Sequence, residues 1–453
     1  MNIDMTANKP IKVITQFGVT VLFGNLFQQL YNMVDSIIVG KILGVQALAA
    51  VGSTGSLSFL VLGFVVGMST GFGIPVAQFV GAQDEKNLKS CIINSVYLSL
   101  AISILMTIIT VASTKWLLNM MQTPADIYSD AYNYIVVIFA GLGAAMFYNL
   151  LSSISRAMGD VQTPLIFLIA ASIINAVLDY ILVKFTALGT AGAGFATVIA
   201  QFMAAVGCFL VMYRRHEVLH LKKEECRFEP RIALRLIRIG LPMALQFSVT
   251  AVGTIIVQTA VNMLGSIFVA GVTAALRIQN VLVQPLEAMG LTLATFCGQN
   301  FGAGKIDRIK KGIYQSLLLC FVISGLLFLI IIVFGRGLTG IFVTGENVDL
   351  TNYAMRFMRW NAVFFWALGI LLILRNAIQG LGHAGAAMFA GVFETVGRVI
   401  VALGFIGTWG YPAVCFANPV AWVFADILLI AVYFVIMKKI SNYGTMKKTQ
   451  LEG

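Results

Sequence analysis

The sequence predicts an all-α membrane protein, with twelve transmembrane helices arranged as two pseudo-symmetric six-helix lobes. Three observations lead there. With 59% hydrophobic and 11% charged residues among 453, and a mean hydropathy of +0.91, the chain has too little polar surface to cover a water-soluble globule. Apolar runs of about 20 residues, the length that crosses a hydrocarbon core about 30 Å thick as a helix, recur along the whole chain. The chain is also written twice. Leu43 to Val51 reads LGVQALAAV and Leu264 to Val272 reads LGSIFVAGV. The same separation sets QFVGA (Gln78 to Ala82) against QNFGA (Gln299 to Ala303), and GTAGAGFAT (Gly189 to Thr197) against GYPAVCFAN (Gly410 to Asn418). A slightly larger one sets RAMGD (Arg156 to Asp160) against QGLGH (Gln379 to His383).

The expected spans are 14 to 38, 50 to 80, 92 to 114, 132 to 155, 163 to 184 and 190 to 213 in the first copy. In the second they are 235 to 260, 268 to 296, 314 to 336, 355 to 378, 384 to 407 and 413 to 437. Continuous apolar runs without period-two alternation exclude a barrel. Residues 1–213 are read as an N-terminal lobe, 214–234 as a cytoplasmic connector and 235–453 as a C-terminal lobe. Two copies of an even number of spans must be parallel repeats about an axis along the membrane normal.

Lys9, Lys12, Lys86, Lys89, Arg156, the connector, Lys305 to Lys311 and Lys438 to Lys448 fall on one side of this topology. Lys41, Lys115, Lys184, Arg336, Arg356 and Arg359 fall on the other. The positive-inside rule then puts both termini in the cytoplasm of a cell (inner) membrane protein. The net charge of +11 becomes a topology signal, and short loops without aromatic interleaving offer nucleic acid nothing. The polar start runs straight into a span too long for a signal-peptide core, so no cleavage is expected. Six scattered cysteines form no CxxC pair and read as free thiols.

His216, Glu217 and His220 spell H-E-x-x-H, which on a helix would offer zinc two imidazoles and a general base. Glu224, Glu225 or Glu229 could serve as a third ligand, leaving a membrane zinc metalloprotease as a remote alternative. A short strap builds neither the walled cavity nor the outer partners such a site needs, so no enzyme is expected. No Walker A or nucleophile-elbow motif is present, and no cofactor is expected.

Ionisable groups inside spans are costly in hydrocarbon and point to function. Asp35 lies in the first span, and Asp179 in the fifth, four residues after Asn175 and so on the same helix face. Asn149 and Thr197 add neutral oxygens from the fourth and sixth spans. The repeat serves as an internal control: the counterparts of the two carboxylates fall near Ile256 and Ala402, both apolar. Close buried carboxylates cannot both stay ionised without a cation. Such carboxylates take up H+, or could cradle a hard cation such as Na+ among Asp35, Asn175 and Asp179.

Glu394 and Arg398 are spaced to pair along the eleventh span. Glu287, ten residues from Arg277 and beside Pro285, could meet a cationic ligand in a central cavity. Lys184, Arg375 and Asp426 are placed near span ends, where snorkelling suffices. Met33, Met68, Tyr148, Gln246 and Met289 are candidates, with Glu287, for a substrate pocket; Met243, Phe147, Phe364, Phe365 and Trp366 could furnish one too, although such residues more often serve helix packing or lipid contact.

LYNMVDSIIVGKILG in the first span, QFVGA and QNFGA, RAMGD, and GLPMAL opening the seventh span together resemble the multidrug and toxic compound extrusion (MATE) family over essentially the whole chain. The likeness is nearer to the DinF-like and staphylococcal-type branch than to the NorM branch. It implies the MATE/MOP-flippase fold, a V-shaped pair of lobes, and antiport of amphipathic, mostly cationic drugs against H+ or Na+ by alternating access. It also implies that Asp35, Asn149, Asn175, Asp179 and Thr197 form an N-lobe cation network. Gln246, Gln258 and Asn361 stand in spans seven and ten, where the NorM branch carries acids, and Thr20 and Val21 stand where some relatives have a first-span proline. The expected partners are small drugs and the bilayer, with the protein a monomer. A flippase for lipid-linked precursors, from the same superfamily, is the alternative.

Overall fold

A computed structural model describes residues 3–342 and 348–452, and among them the regular structure is helical. In the first copy lie α1 (Pro10–Leu43), α2 (Val45–Ser53), α3 (Gly55–Ala82), α4 (Glu85–Met120), α5 (Ala125–Ala140), α6 (Leu142–Ala157), α7 (Gln162–Phe185) and α8 (Thr190–Arg215). In the second lie α9 (Pro230–Leu264), α10 (Ser266–Leu282), α11 (Gln284–Gly302), α12 (Ile306–Phe342), α13 (Val348–Val363), α14 (Phe365–Gly380), α15 (Ala384–Gly404), α16 (Ile406–Trp409) and α17 (Tyr411–Glu452). Among the described residues, nine helices are individually long and apolar enough to cross a membrane, and the number rises to 12 when three bent pairs each count as one span. The chain is a multi-pass membrane protein, and every expected span has its helix or bent pair.

The bends lie between α5 and α6 (48°), α10 and α11 (47°), and α13 and α14 (53°). The separation that matches RAMGD with QGLGH also matches the break at Gly141 with the break at Phe364, so this kink belongs to the repeat. At Gly141 a Cβ would fall 2.1 Å from Val198 Cγ2, so the missing side chain is what lets α8 approach the kink. The RAMGD and QGLGH turns recur for a backbone reason. Gly159 (φ 87°) and Gly382 (φ 89°) both hold the left-handed conformation that a Cβ disfavours.

The helices divide into two compact units. One takes in Phe23–Phe247 with Ile3; the other takes in Asp4–Leu22 and the chain from Ser248 onward. These are not the sequence halves expected at 1–213 and 235–453. The start of α1 belongs with the second unit, where the Cβ position of Gly18 lies 3.4 Å from Thr292 Oγ1 and Asn300 Nδ2 donates to Met5 O at 3.0 Å. The start of α9 belongs with the first. There Gly63, Gly67 and Gly71 of α3 face Phe247, Ala244 and Gly240 of α9, and a Cβ at Gly71 would come 2.5 Å from Gly240 Cα. Small residues every four positions let two backbones pack closely where lipid supplies no hydrophobic drive between helices. The outward faces carry Ile104, Leu105 and Ile108 of α4 and Leu326, Leu329 and Val333 of α12, as lipid-facing surfaces should.

The connector is short and docked. After α8 it makes two 3-10 turns, Glu217–Leu219 and Lys223–Glu225. Asn94 in α4, fully buried, accepts from Glu229 N at 2.9 Å, and Lys89 pairs with Glu225 at 2.9 Å. Backbone and lysine hydrogen bonds hold the Glu225 carboxyl below its ordinary pKa, so this contribution to stability is present at neutral pH and is lost as pH falls.

Gly71→Ala is expected to destabilise the protein by about 1–3 kcal/mol through overpacking, read as a lower thermal midpoint in detergent. Gly325→Ala, with open space at its Cβ position, should leave the midpoint where it is.

Candidate functional site

The first unit gathers acids in its interior because two helices each turn one narrow polar stripe inward. On α7 the buried positions Ala171, Asn175, Asp179 and Val183 recur every four residues, while Ile173, Val177 and Ile181 are exposed. On α1, Asp35 (8% exposed) and Val39 (0%) form the buried stripe, flanked by exposed Met33, Val34 and Ile37. The Asp35 and Asp179 carboxyls are set against one another. Asp35 Oδ1 and both Asp179 oxygens are buried with no hydrogen-bond donor. Asn175 Nδ2 donates to Thr197 Oγ1 at 3.4 Å. Both stand beside the acids without completing a hydrogen bond to Asp179 or to Tyr31.

Apolar layers close the site. Val39 and Val183, each one turn beyond an acid, pack with Ala47 and Ala193. On the other side Ala171 packs with Ala200 and Ala204 against Tyr148 and Phe167. An ionised aspartate at the centre of a membrane helix costs on the order of 3 kcal/mol, and two facing acceptor-only groups repel as well. A proton or a cation between them relieves both costs.

Four of the five expected coupling residues therefore come together: Asp35, Asn175, Asp179 and Thr197. Asn149 turns its amide nitrogen back to Ala145 O at 2.8 Å. Two tyrosines join the acids that sequence reasoning missed. Tyr31, one turn before Asp35 on the same face, has a buried hydroxyl without a partner, and Tyr134 of α5 faces both carboxyls. The spacing of Tyr31 and Asp35 was the available signal; Tyr134 had none, because only the packing of α5 on α8 delivers it. Gly194 permits that packing, its Cβ position lying 3.1 Å from Tyr134 O.

The substrate-pocket candidates scatter. Met33 is 45% exposed, whereas Met68 (3%) sits in the apolar core against Gly240 and Met289 is also buried. Tyr148 donates to Pro164 O at 3.1 Å, and Gln246 is buried. Glu287 is exposed at its surface although protein surrounds it densely.

The second unit corrects the expectation for Arg375 and Asp426. Neither lies at a solvated span end: Asp426 is 5% exposed and the Arg375 side chain 16%. Arg375 Nη1 lies 3.7 Å from Glu394 Oε2, and Glu287 and Asp426 are within its electrostatic reach. Glu394 pairs with Arg398 one turn on, as its spacing predicts. Arg398 Nε then donates to Asn418 Oδ1 at 3.1 Å. The repeat sets Arg398 against Asn175 and Asn418 against Thr197, so the same contact between equivalent helices occurs in both halves.

The H-E-x-x-H motif does not lie on an α-helix, which corrects the zinc alternative. α8 ends at Arg215, His216 is extended, and His220 Nε2 meets Tyr213 O at 2.8 Å. Among the described residues no group of three or more His, Cys, Asp or Glu could hold a metal.

Fold and site define a polytopic helical membrane protein built on an inverted charge economy, apolar outside and acidic at two points within. A family model described as MatE matches residues 21–181 and 242–403, and the chain belongs to the MatE family. Among curated proteins it is 28% identical over 380 residues to the probable multidrug resistance protein YpnP of Bacillus subtilis (strain 168), covering 84% of each chain. It is 26% identical over 438 residues to the probable multidrug resistance protein YoeA of the same organism, covering 93% of each. Among solved structures it resembles a crystal structure of MATE in the bent conformation, with a TM-score of 0.90 and 21% identity over 97% of this chain and 98% of that one. That likeness is one of fold.

Tyr31→Phe removes a buried hydroxyl that has no partner, so the thermal midpoint should stay or rise. Asp160→Ala should lower stability by about 0.5–2 kcal/mol, because Asp160 accepts from Gln162 N, Thr163 N and Thr163 Oγ1 at the start of α7.

Proposed function

We propose that this protein is a secondary active multidrug exporter that antiports amphipathic, mostly cationic drugs against H+ or Na+ by alternating access. The observation that carries the proposal is the facing of Asp35 and Asp179 with no donor between them. Each proton or monovalent cation taken up removes one of the two negative charges, and the loaded site suits its apolar layers better. Emptied, it carries buried negative charge and favours whichever conformation wets or compensates it. Asp35 and Asp179 hold the ion, while Asn175, Thr197 and Tyr31 supply neutral polar atoms; the bond of Asn149 Nδ2 to Ala145 O leaves its Oδ1 unengaged by that contact. A drug that prefers the emptied state is then exchanged for the ion, and the cycle needs nothing further to couple the two flows. Glu287, exposed and close to Gln284, is the acid placed to meet a cationic drug. The relatives named multidrug resistance proteins support this substrate class.

The protein resides as a monomer in the cell (inner) membrane with both termini cytoplasmic, and needs neither a cofactor nor nucleic acid. A flippase for lipid-linked precursors is the second reading, favoured by a recess of about 450 Å³ lined by Arg336, Asn352, Arg356, Arg359 and Trp360, which suits phosphate groups.

In proteoliposomes, a fluorescent cationic dye should move against separately imposed H+ or Na+ gradients, and the gradient that drives it names the ion. Asp35→Asn should reduce gradient-driven transport to background while leaving the thermal midpoint intact. Unchanged transport in that variant would sink the assignment, and movement of a pyrophosphate-linked lipid in place of dye would favour the flippase.

A further inference from the structure

The charged side chains buried in the second unit are unevenly bonded. Glu394 of α15 and Asp426 of α17 lie among the guanidiniums of Arg375 and Arg398, and Arg375 also feels the exposed Glu287 of α11. Arg398 is committed to Glu394 and to Asn418. Arg375 lies 3.7 Å from Glu394 and makes its ion pair there, with Glu287 and Asp426 within electrostatic reach. Asp426 is the acid left over. It is 5% exposed, and both its oxygens are buried without a hydrogen-bond donor.

Every element packed against α17 can be checked for a missing partner. From α14 Asp426 faces Arg375, and from α15 it faces Glu394, whose like charge works against a second anion. On α13 the charge near α17 is Arg356, but it neighbours Tyr411 and Cys415 at the other end of the helix. α16 carries no ionisable side chain. Behind Arg398, α9 presents Gly253, whose Cβ position is 2.9 Å from Arg398 Nη1, and Val249 O, which accepts from Thr395.

A buried carboxylate with no donor and an adjacent carboxylate must be neutralised or expelled from the interior. A metal ion would need several oxygens around it, next to two fixed guanidiniums that repel it. A proton needs only one oxygen.

We propose that Asp426 is a second proton-binding site, in the C-terminal half, set in the Glu287–Arg375–Glu394–Arg398 cluster and exchanging with water from its exposed Glu287 end. Proton binding converts Asp426 from an acceptor-only carboxylate into a neutral acid beside the Arg375–Glu394 pair. Proton loss adds one negative charge that Arg375 must share, drawing it from Glu394 and Glu287. The acid that would meet a cationic drug is thereby freed from its arginine when Asp426 is emptied. This last step rests on the exporter reading; the proton site does not.

Infrared spectroscopy of the protein in lipid nanodiscs tests the site without any transport. In an Asp35→Asn/Asp179→Asn background, which removes the N-terminal acids, a protonated-carboxyl band should persist at neutral pH and disappear when Asp426→Asn is added. A band absent from the background, or one that Asp426→Asn leaves unchanged, overturns the proposal. If that triple variant fails to fold, Asp426→Glu in the same background should keep the band and shift its frequency; an unshifted band overturns the proposal equally. For the coupling, dye added to weakly buffered protein should release one proton fewer from Asp426→Asn than from wild type. Equal release removes Asp426 from the coupling and leaves the exporter reading to stand on Asp35.

Discussion

A carboxyl group in hydrocarbon must be protonated, paired or hydrated, and this requirement organises both halves of the protein. In the first, Asp35 and Asp179 confront one another under layers made by Val39, Val183, Ala47 and Ala193. In the second, Glu394 is held by two arginines while Asp426 receives no hydrogen bond. Small residues make these arrangements possible. Gly141 and Gly194 bring α8 against the α5–α6 bend, and the glycines of α3 bring α9 against it, so the polar atoms lie inside a wall of closely spaced backbones.

The duplicated sequence separates what folding requires from what each half does with it. Gly159 and Gly382 recur because both turns need left-handed backbone, and the kinks at Gly141 and Phe364 recur with them. At the equivalent helix contact the first half sets an amide on a hydroxyl, Asn175 on Thr197, and the second a guanidinium on an amide, Arg398 on Asn418. The lobes share a scaffold and differ in how buried charge is met: Asp35 and Asp179 face one another in one, while Glu394 and Asp426 lie among Arg375 and Arg398 in the other. Asp35 and Asp179 have no acidic counterpart by sequence, yet Asp426 reaches a comparable predicament from a different helix.

Much of the site was legible in the sequence, for reasons tied to periodicity. Asn175 and Asp179 share a face by their spacing, and so do Glu394 and Arg398; a helix realises both without help from neighbours. Tyr134 was not legible, since it reaches the acids only through the docking of α5 on α8. Arg375 and Asp426 were misplaced because their distance from the ends of apolar runs says little about which side of the helix faces protein. The H-E-x-x-H pattern misled for the opposite reason: its spacing is meaningful only on a helix, and α8 ends one residue before it.

What the sequence determined by itself is the solvent, the number of spans, the duplication and the rarity of buried charge, because these follow from composition, run length and self-similarity, which are properties of the chain in one dimension. The tertiary structure decided which charges meet. The start of α9 grouping with the first half, the start of α1 with the second, Arg375 among three acids, and Asp426 left without a donor all depend on side chains far apart in the chain arriving at one place. That depends on how closely helix backbones can approach, and it is settled by packing.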